Sequence, residues 1–146
     1  MMNGVKVRRI TVKDVPNIIE IQESIIKKKV SKAWIQSIEA HLRKHDVAGF
    51  VALRDDDVVG FIIGEIKGPG FGIEKSGWIV VVGVCARCMG IGIGRALAKK
   101  LFEYFREKGI QDIYTAVRWD AVDMLSFFKS IGFDRSEFIN LGRHLE

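Results

Sequence analysis

The chain has 146 residues, 48% of them apolar, with two prolines and a net charge of +5. That length and apolar fraction suit one domain, residues 1–146, able to bury a sizeable core, and leave no room for a second. The longest apolar stretch, residues 78–86, is too short to span a bilayer, and the first residues lack the apolar region of a signal peptide, so a cytoplasmic location without membrane contact is expected.

Residues 5–10 alternate enough to be a strand, and Thr11-Val12-Lys13-Asp14 has capping-box spacing ahead of a helix with Pro16 in its first turn. Val15, Ile18, Ile19, Gln22, Ile25 and Ile26 then recur at helical spacing and give one apolar face. A second helix is expected over about 31–44 with Trp34, Ile38 and Leu42 inward, and Lys27-Lys28-Lys29 between the two reads as a solvated turn. Residues 48–54 and 58–66 are apolar and β-branched on either side of Asp55-Asp56-Asp57, the pattern of a hairpin with an acidic turn. A tight turn cannot aim three aspartates at one ion, so solvation, not metal binding, is the reading. Gly68-Pro69-Gly70-Phe71-Gly72 is a loop, and residues 78–84 read as a fully buried strand in which Gly83 marks a bulge.

That strand empties into Cys85-Ala86-Arg87-Cys88-Met89-Gly90-Ile91-Gly92-Ile93-Gly94-Arg95, a glycine-rich turn that opens a helix. The first turn of a helix has backbone N–H groups without partners and the positive end of the dipole, so an anion there is both hydrogen-bonded and charge-compensated. Leu97, Leu101 and Phe105 lie on one stripe of this helix, which ends near Lys108-Gly109. Residues 113–117 form the next strand, residues 121–130 a last helix with Leu125, Phe128 and Ile131 inward, and residues 137–141 a strand that closes the sheet. The order βααβββαβαβ predicts an α/β fold with a mixed sheet and helices on both faces. Its middle strands arrive as hairpins, so it is not doubly wound.

A dinucleotide fingerprint, G-x-G-x-x-G, fails because the bulky Arg95 stands where a third small residue is needed. A P-loop fails because Arg95 and Ala96 replace its lysine and hydroxyl, which removes ATP hydrolysis from consideration. Cys85 and Cys88 form C-x-x-C, and His41 and His45 lie one helical turn apart, but the two pairs are too distant in sequence for a usual zinc site, so no metal is expected. The positive charge favours an anionic ligand, and nucleic acid has neither a basic stripe on one helix nor an aromatic-studded strand to support it.

What remains is R/Q-x-x-G-x-G/A with Met89, Gly92 and Gly94 at its three defined places, and here the chain resembles the GNAT superfamily of acetyl-CoA-dependent N-acetyltransferases. Residues 5–14, Gly60-Phe61-Ile62-Ile63-Gly64 and Ser130-Ile131-Gly132-Phe133 are similar to that family's opening, its third strand and the end of its last helix, in the right order. The resemblance implies a sheet splayed beside the strand 78–84, with the pantetheine arm of acetyl-CoA paired to backbone around Val84 and Cys85. It also implies that N–H groups from Met89, Gly90, Ile91, Gly92, Ile93, Gly94 and Arg95 hold the pyrophosphate, with added charge from Arg95. The implied activity is an acyltransferase reaction, direct N-acetyl transfer to a primary amine on a small molecule, a protein N-terminus or a lysine; the alternative is an acyl-CoA-binding or sensing module with little turnover. By the same resemblance the first two helices help form the acceptor site, where Lys27-Lys28-Lys29 would meet an acidic substrate.

The sequence departs from the family at the chemical positions. Trp78 and Val80 stand where a basic glutamate is common, Phe128 where a tyrosine acid is usual, Ala121 where an asparagine is frequent, and Met89 in place of arginine or glutamine. The carboxylates left near the expected cleft are Glu65 and Asp120, and Tyr114 is the only tyrosine on a core strand, so these three are the candidate catalytic groups. An exposed final strand would also offer an edge for a homodimer.

Overall fold

The computed structural model describes residues 4–70 and 74–146, so Phe71 and Gly72 of the expected loop lie outside the described residues. Five strands form one sheet in the order β1-β2-β3-β4-β5. They are β1 (Val5–Arg9), β2 (Val47–Arg54), β3 (Asp57–Lys67), β4 (Ser76–Val84) and β5 (Ile113–Tyr114). The first four are antiparallel neighbours, and β5 runs parallel to β4. Helices α1 (Val15–Ile26) and α2 (Lys32–Leu42) pack on one face; α3 (Ile93–Glu107) and α4 (Val122–Ser130) pack on the other.

The helix that follows the glycine-rich turn is seated on a bed of glycines. A Cβ at Gly64 would stand 2.6 Å from Leu101 Cδ1, one at Gly60 2.9 Å from Ile93 Cγ2, and one at Gly77 2.9 Å from the Phe105 ring. Those contacts let Leu97, Leu101 and Phe105 bury completely, as their stripe predicts. On the opposite face the buried residues of α1 are Val15, Ile18 and Ile21, so its stripe runs one position off the expected set, with Ile25 at its margin. Ile38 is buried on α2, with Trp34 and Leu42 packed against it. The acidic turn between β2 and β3 holds Asp55 and Asp56 at φ 51° and 70°, the left-handed pair that a two-residue hairpin demands.

Asp14 closes the first turn differently from a simple cap. Its carboxylate accepts from the Thr11 backbone N–H at 2.8 Å and from both guanidinium nitrogens of Arg8 at 2.8 and 2.9 Å, in a buried site. The hydrogen bond from Arg8, above all, holds this carboxyl below the usual carboxylate range.

Five expectations need correction. The strand expected to be fully buried is only partly so, with Val80 exposed and Trp78, Val81, Val82 and Val84 half-buried. The bulge falls at Val80, not Gly83: Ile63 pairs with Val81 and Gly64 with Ile79, which leaves Val80 as the extra residue. Gly83 pairs regularly with Phe61 and is glycine because the Phe61 ring and Ile25 fill the space of its side chain. The strand expected over 113–117 stops at Tyr114, and residues 137–141 form no strand, so the closing β-element and the homodimer edge argued from it are missing among the described residues. Leu125 is exposed, because α4 turns Phe128 inward and Phe127 against Gly94 instead.

Candidate functional site

The site begins where β4 loses its second neighbour. Gly77 N–H donates to the Asp112 carbonyl at 2.9 Å, the register pairs Gly77 with Ile113 and Trp78 with Tyr114, and Thr115 Oγ1 donates to the Ile79 carbonyl at 3.1 Å. Beyond Ile79 no strand pairs with this edge of β4 among the described residues. Cys85 N–H donates to the Val59 carbonyl at 2.8 Å, so the alternation of a strand turns the N–H and C=O of Val84 and Val82 toward the unpaired side. The bulge at Val80 sits where pairing ends and adds local twist, which separates β4 from the chain after β5.

This open edge continues into the glycine-rich turn. A short 3-10 turn, Ala86–Cys88, is closed by Cys88 N–H on the Cys85 carbonyl at 2.8 Å. Gly90 and Gly92 then take φ of 85° and 90°, a left-handed backbone that costs glycine nothing and a side-chain-bearing residue a good deal. The first bond of α3 is Ala96 N–H to the Gly92 carbonyl. The N–H groups of Gly90, Ile91, Gly92, Ile93, Gly94 and Arg95 donate to no protein acceptor among the described residues, and Gly92 supplies no side-chain cap. Six free donors in sequence at the positive end of a 15-residue helix suit an anion with several oxygens, such as a diphosphate.

The two glycines of the pattern have different jobs. Gly92 provides the turn, whereas a Cβ at Gly94 would stand 2.8 Å from the Phe127 ring, so Gly94 lets α4 close over the start of α3. Arg95 directs its guanidinium to the Ser130 carbonyl at 3.0 Å, at the C-terminal end of α4, not back over the turn. With Lys99 and Arg106 it lines a cavity of ≈ 310 Å³ floored by Ala98 and Phe102. Lys99 and Arg106 lay outside the sequence reading; their spacing from Arg95 along one helix face was the available signal.

The candidate catalytic groups separate. Glu65, opposite Trp78 in the sheet, faces α2: Lys44 Nζ lies 3.2 Å from its Oε2 and His41 Nε2 3.9 Å from its Oε1. Tyr114 stacks its ring on Trp78 at 5.2 Å with Phe138 on its other side at 5.8 Å, and burial, then Asp112 and Glu137, raise its hydroxyl pKa. It therefore stays protonated at neutral pH, as a donor must. Asp120 is gripped by Arg118 through bonds of 2.9 Å to each oxygen, and that hydrogen bonding lowers its pKa, so it holds a proton poorly. Phe128 is 4% exposed and packs edge-on against Phe127 and Phe133, both at 5.2 Å, so its ring belongs to the core. Cys85 and Cys88 are buried and unbridged, and Arg87 Nη1 lies 3.2 Å from the Cys85 sulfur. Sequence reading missed His41 and Lys44 as neighbours of Glu65, since the strand-to-helix pairing spans more than twenty residues and leaves no local spacing to read.

Among the described residues no helix is long and apolar enough to cross a membrane. The mycothiol acetyltransferase of Renibacterium salmoninarum is 33% identical over 62% of this chain, which spans only 27% of that protein's length. The N-alpha-acetyltransferase of Sulfurisphaera tokodaii is 26% identical over 88% of this chain and 79% of its own. Among solved structures, the complex of AAC(6')-Iy with the bisubstrate analogue CoA-S-monomethyl-acetylneamine superposes with a TM-score of 0.82 over 97% of this chain and 98% of that one, at 14% identity, a likeness of fold. The Acetyltransferase (GNAT) family profile matches residues 15–133, the span that runs from α1 through the glycine-rich turn to the end of α4, and the chain belongs to that family.

Proposed function

We propose that the protein is an acetyl-CoA-dependent N-acetyltransferase that moves an acetyl group directly from the coenzyme to a primary amine. The observation that carries this reading is the unpaired edge of β4 running into six free N–H groups, Gly90 to Arg95. An extended pantetheine arm carries amides that can pair with Val82 and Val84 as a missing strand would, and its diphosphate fits the turn. Arg95, Lys99 and Arg106 make the adjoining face of α3 positive, which favours the approach of an anionic ligand.

Transfer needs a neutral amine, a polarised thioester carbonyl and a proton for the departing thiolate. The amine nitrogen attacks the carbonyl carbon, a C–N bond forms, the C–S bond breaks, and a proton passes from nitrogen to sulfur. Glu65 is a carboxylate on the α2 face opposite Trp78, where β4 pairing with β5 ends, and Tyr114 is the protonated donor beside Trp78 on β5. Holding the reactants together supplies much of the acceleration, since effective molarities reach ~10⁵ M or more. The acceptor class is open between small amines, peptide N-termini and lysines, so a panel of all three is the proper assay.

A second reading, an acyl-CoA sensor with little turnover, is favoured by the core position of Phe128 where the family's acid is usual. Thiol release against the amine panel separates the two, because a sensor binds the coenzyme tightly and releases none. Thermal stabilisation by acetyl-CoA, but not by ATP or NAD, is expected under both, and its absence refutes the coenzyme site.

A further inference from the structure

Glu65 does not act alone. His41, on the sheet-facing side of α2, brings its Nδ1 to 2.8 Å from the Ser37 carbonyl. A carbonyl only accepts, so Nδ1 carries the hydrogen and, in the neutral ring, Nε2 keeps the lone pair. Nε2 faces Glu65 Oε1 at 3.9 Å, too long for a direct hydrogen bond, with both side chains about one-fifth exposed at 18% and 19%. Lys44 occupies the other oxygen of Glu65 at 3.2 Å and so fixes the carboxylate's orientation. Lys67, two positions along β3 on the same face, is turned onto the Trp78 ring at 4.6 Å. Among the described residues, the ion-pair partners of His41 and Glu65 are each other and Lys44.

Resting on the acyl-transfer reading above, we infer that His41 is the proton acceptor for the incoming ammonium, reached through water, with Glu65 and Lys44 as its positioning residues. Glu65 is opposite Trp78, and β4 loses its partner two residues on, about 7 Å along the strand. One proton of the ammonium passes through water to Nε2 and later to solvent. The second moves from nitrogen to the thiolate after C–S cleavage, and the third stays on the amide, so charge and atoms balance. An imidazolium formed at Nε2 finds Glu65 at hand, which places the stabilising charge where it develops.

His41→Asn retains an amide donor for the Ser37 carbonyl while removing Nε2. In an acetyl-CoA thiol-release assay with an amine that the wild type acetylates, it is expected to lower kcat/KM about 100-fold near neutrality. The variant's deficit should shrink as the pH rises, the two proteins converging above about pH 10 where the amine is already neutral, and acetyl-CoA affinity by calorimetry should hold. Added imidazole should restore part of the rate in His41→Gly. Nitrogen-15 NMR of the wild-type histidine should show the Nδ1–H tautomer independently of any acceptor. A ring found protonated at Nε2 instead, or a variant whose pH profile matches the wild type, overturns the role of His41. A wild type that fails to bind acetyl-CoA refutes the transferase reading itself, a different result from either.

Discussion

The two edges of β4 are built on opposite principles. On its β3 side the strand is paired from Ser76 to Val84, and the face behind it is filled by α3 lying in a glycine-lined groove. On its β5 side it is paired only at Gly77 and Trp78, with Thr115 as the last tie, and beyond lie free backbone donors that end at Arg95. An open strand edge presents unpaired N–H and C=O groups to an extended partner, so the open side is the proposed ligand side and the closed side marks stability. Mutations on the two sides should then separate cleanly, folding from binding.

The largest effect is expected on the closed side. Gly64→Val drives a side chain into Leu101 and Phe105, and should destabilise by about 3 kcal/mol, lowering the melting temperature by about 10 °C. A variant as stable as the wild type would mean that α3 is not held by that groove. On the open side, Gly92→Val forces a branched residue into φ 90° and should weaken acetyl-CoA binding about 100-fold in calorimetry, worth ~2.7 kcal/mol. Gly94→Val should harm both readouts, because it also displaces Phe127. Thr115→Val removes the last tie between β4 and the chain after β5, and should cost about 1 kcal/mol in urea unfolding.

The smallest effect lies away from β4 altogether. Asp14 is depressed in the folded state by its Arg8 bond, so that bond stabilises above the ordinary carboxylate range near pH ~4 and is lost as the pH falls through the lowered value. Arg8 is 45% exposed, so the contribution is at most about 1 kcal/mol. Asp14→Asn should flatten the acid side of the stability curve, and an unchanged acid slope would assign that slope to other carboxylates.

Elements whose signal is local were legible. The stripe Leu97, Leu101 and Phe105, the acidic hairpin turn and the glycine-rich turn each follow from spacing or φ preference within a few residues. Elements decided at a distance were not. Val80 becomes the bulge because of the register against Ile63 and Gly64, and Gly83 looked like one only because its true reason, the Phe61 ring, lies on another strand. Residues 137–141 carry three apolar side chains in five, enough to read as a strand, yet Phe138 settles on Tyr114 while Ile139 and Leu141 stay exposed, and nothing in the sequence distinguishes that outcome. The proposed coenzyme side rests on backbone geometry, which a local glycine pattern makes readable. The proposed amine side rests on His41, Lys44 and Glu65, side chains that only the fold brings together.

Residue-resolved amide hydrogen exchange with and without acetyl-CoA tests the central claim most directly. Protection on binding is expected at Val82, Val84 and Gly90 to Arg95, with little change at Phe61 and Ile63 on the closed side. Exchange that stays the same at both the β4 edge and the turn, under saturating coenzyme, would contradict the account.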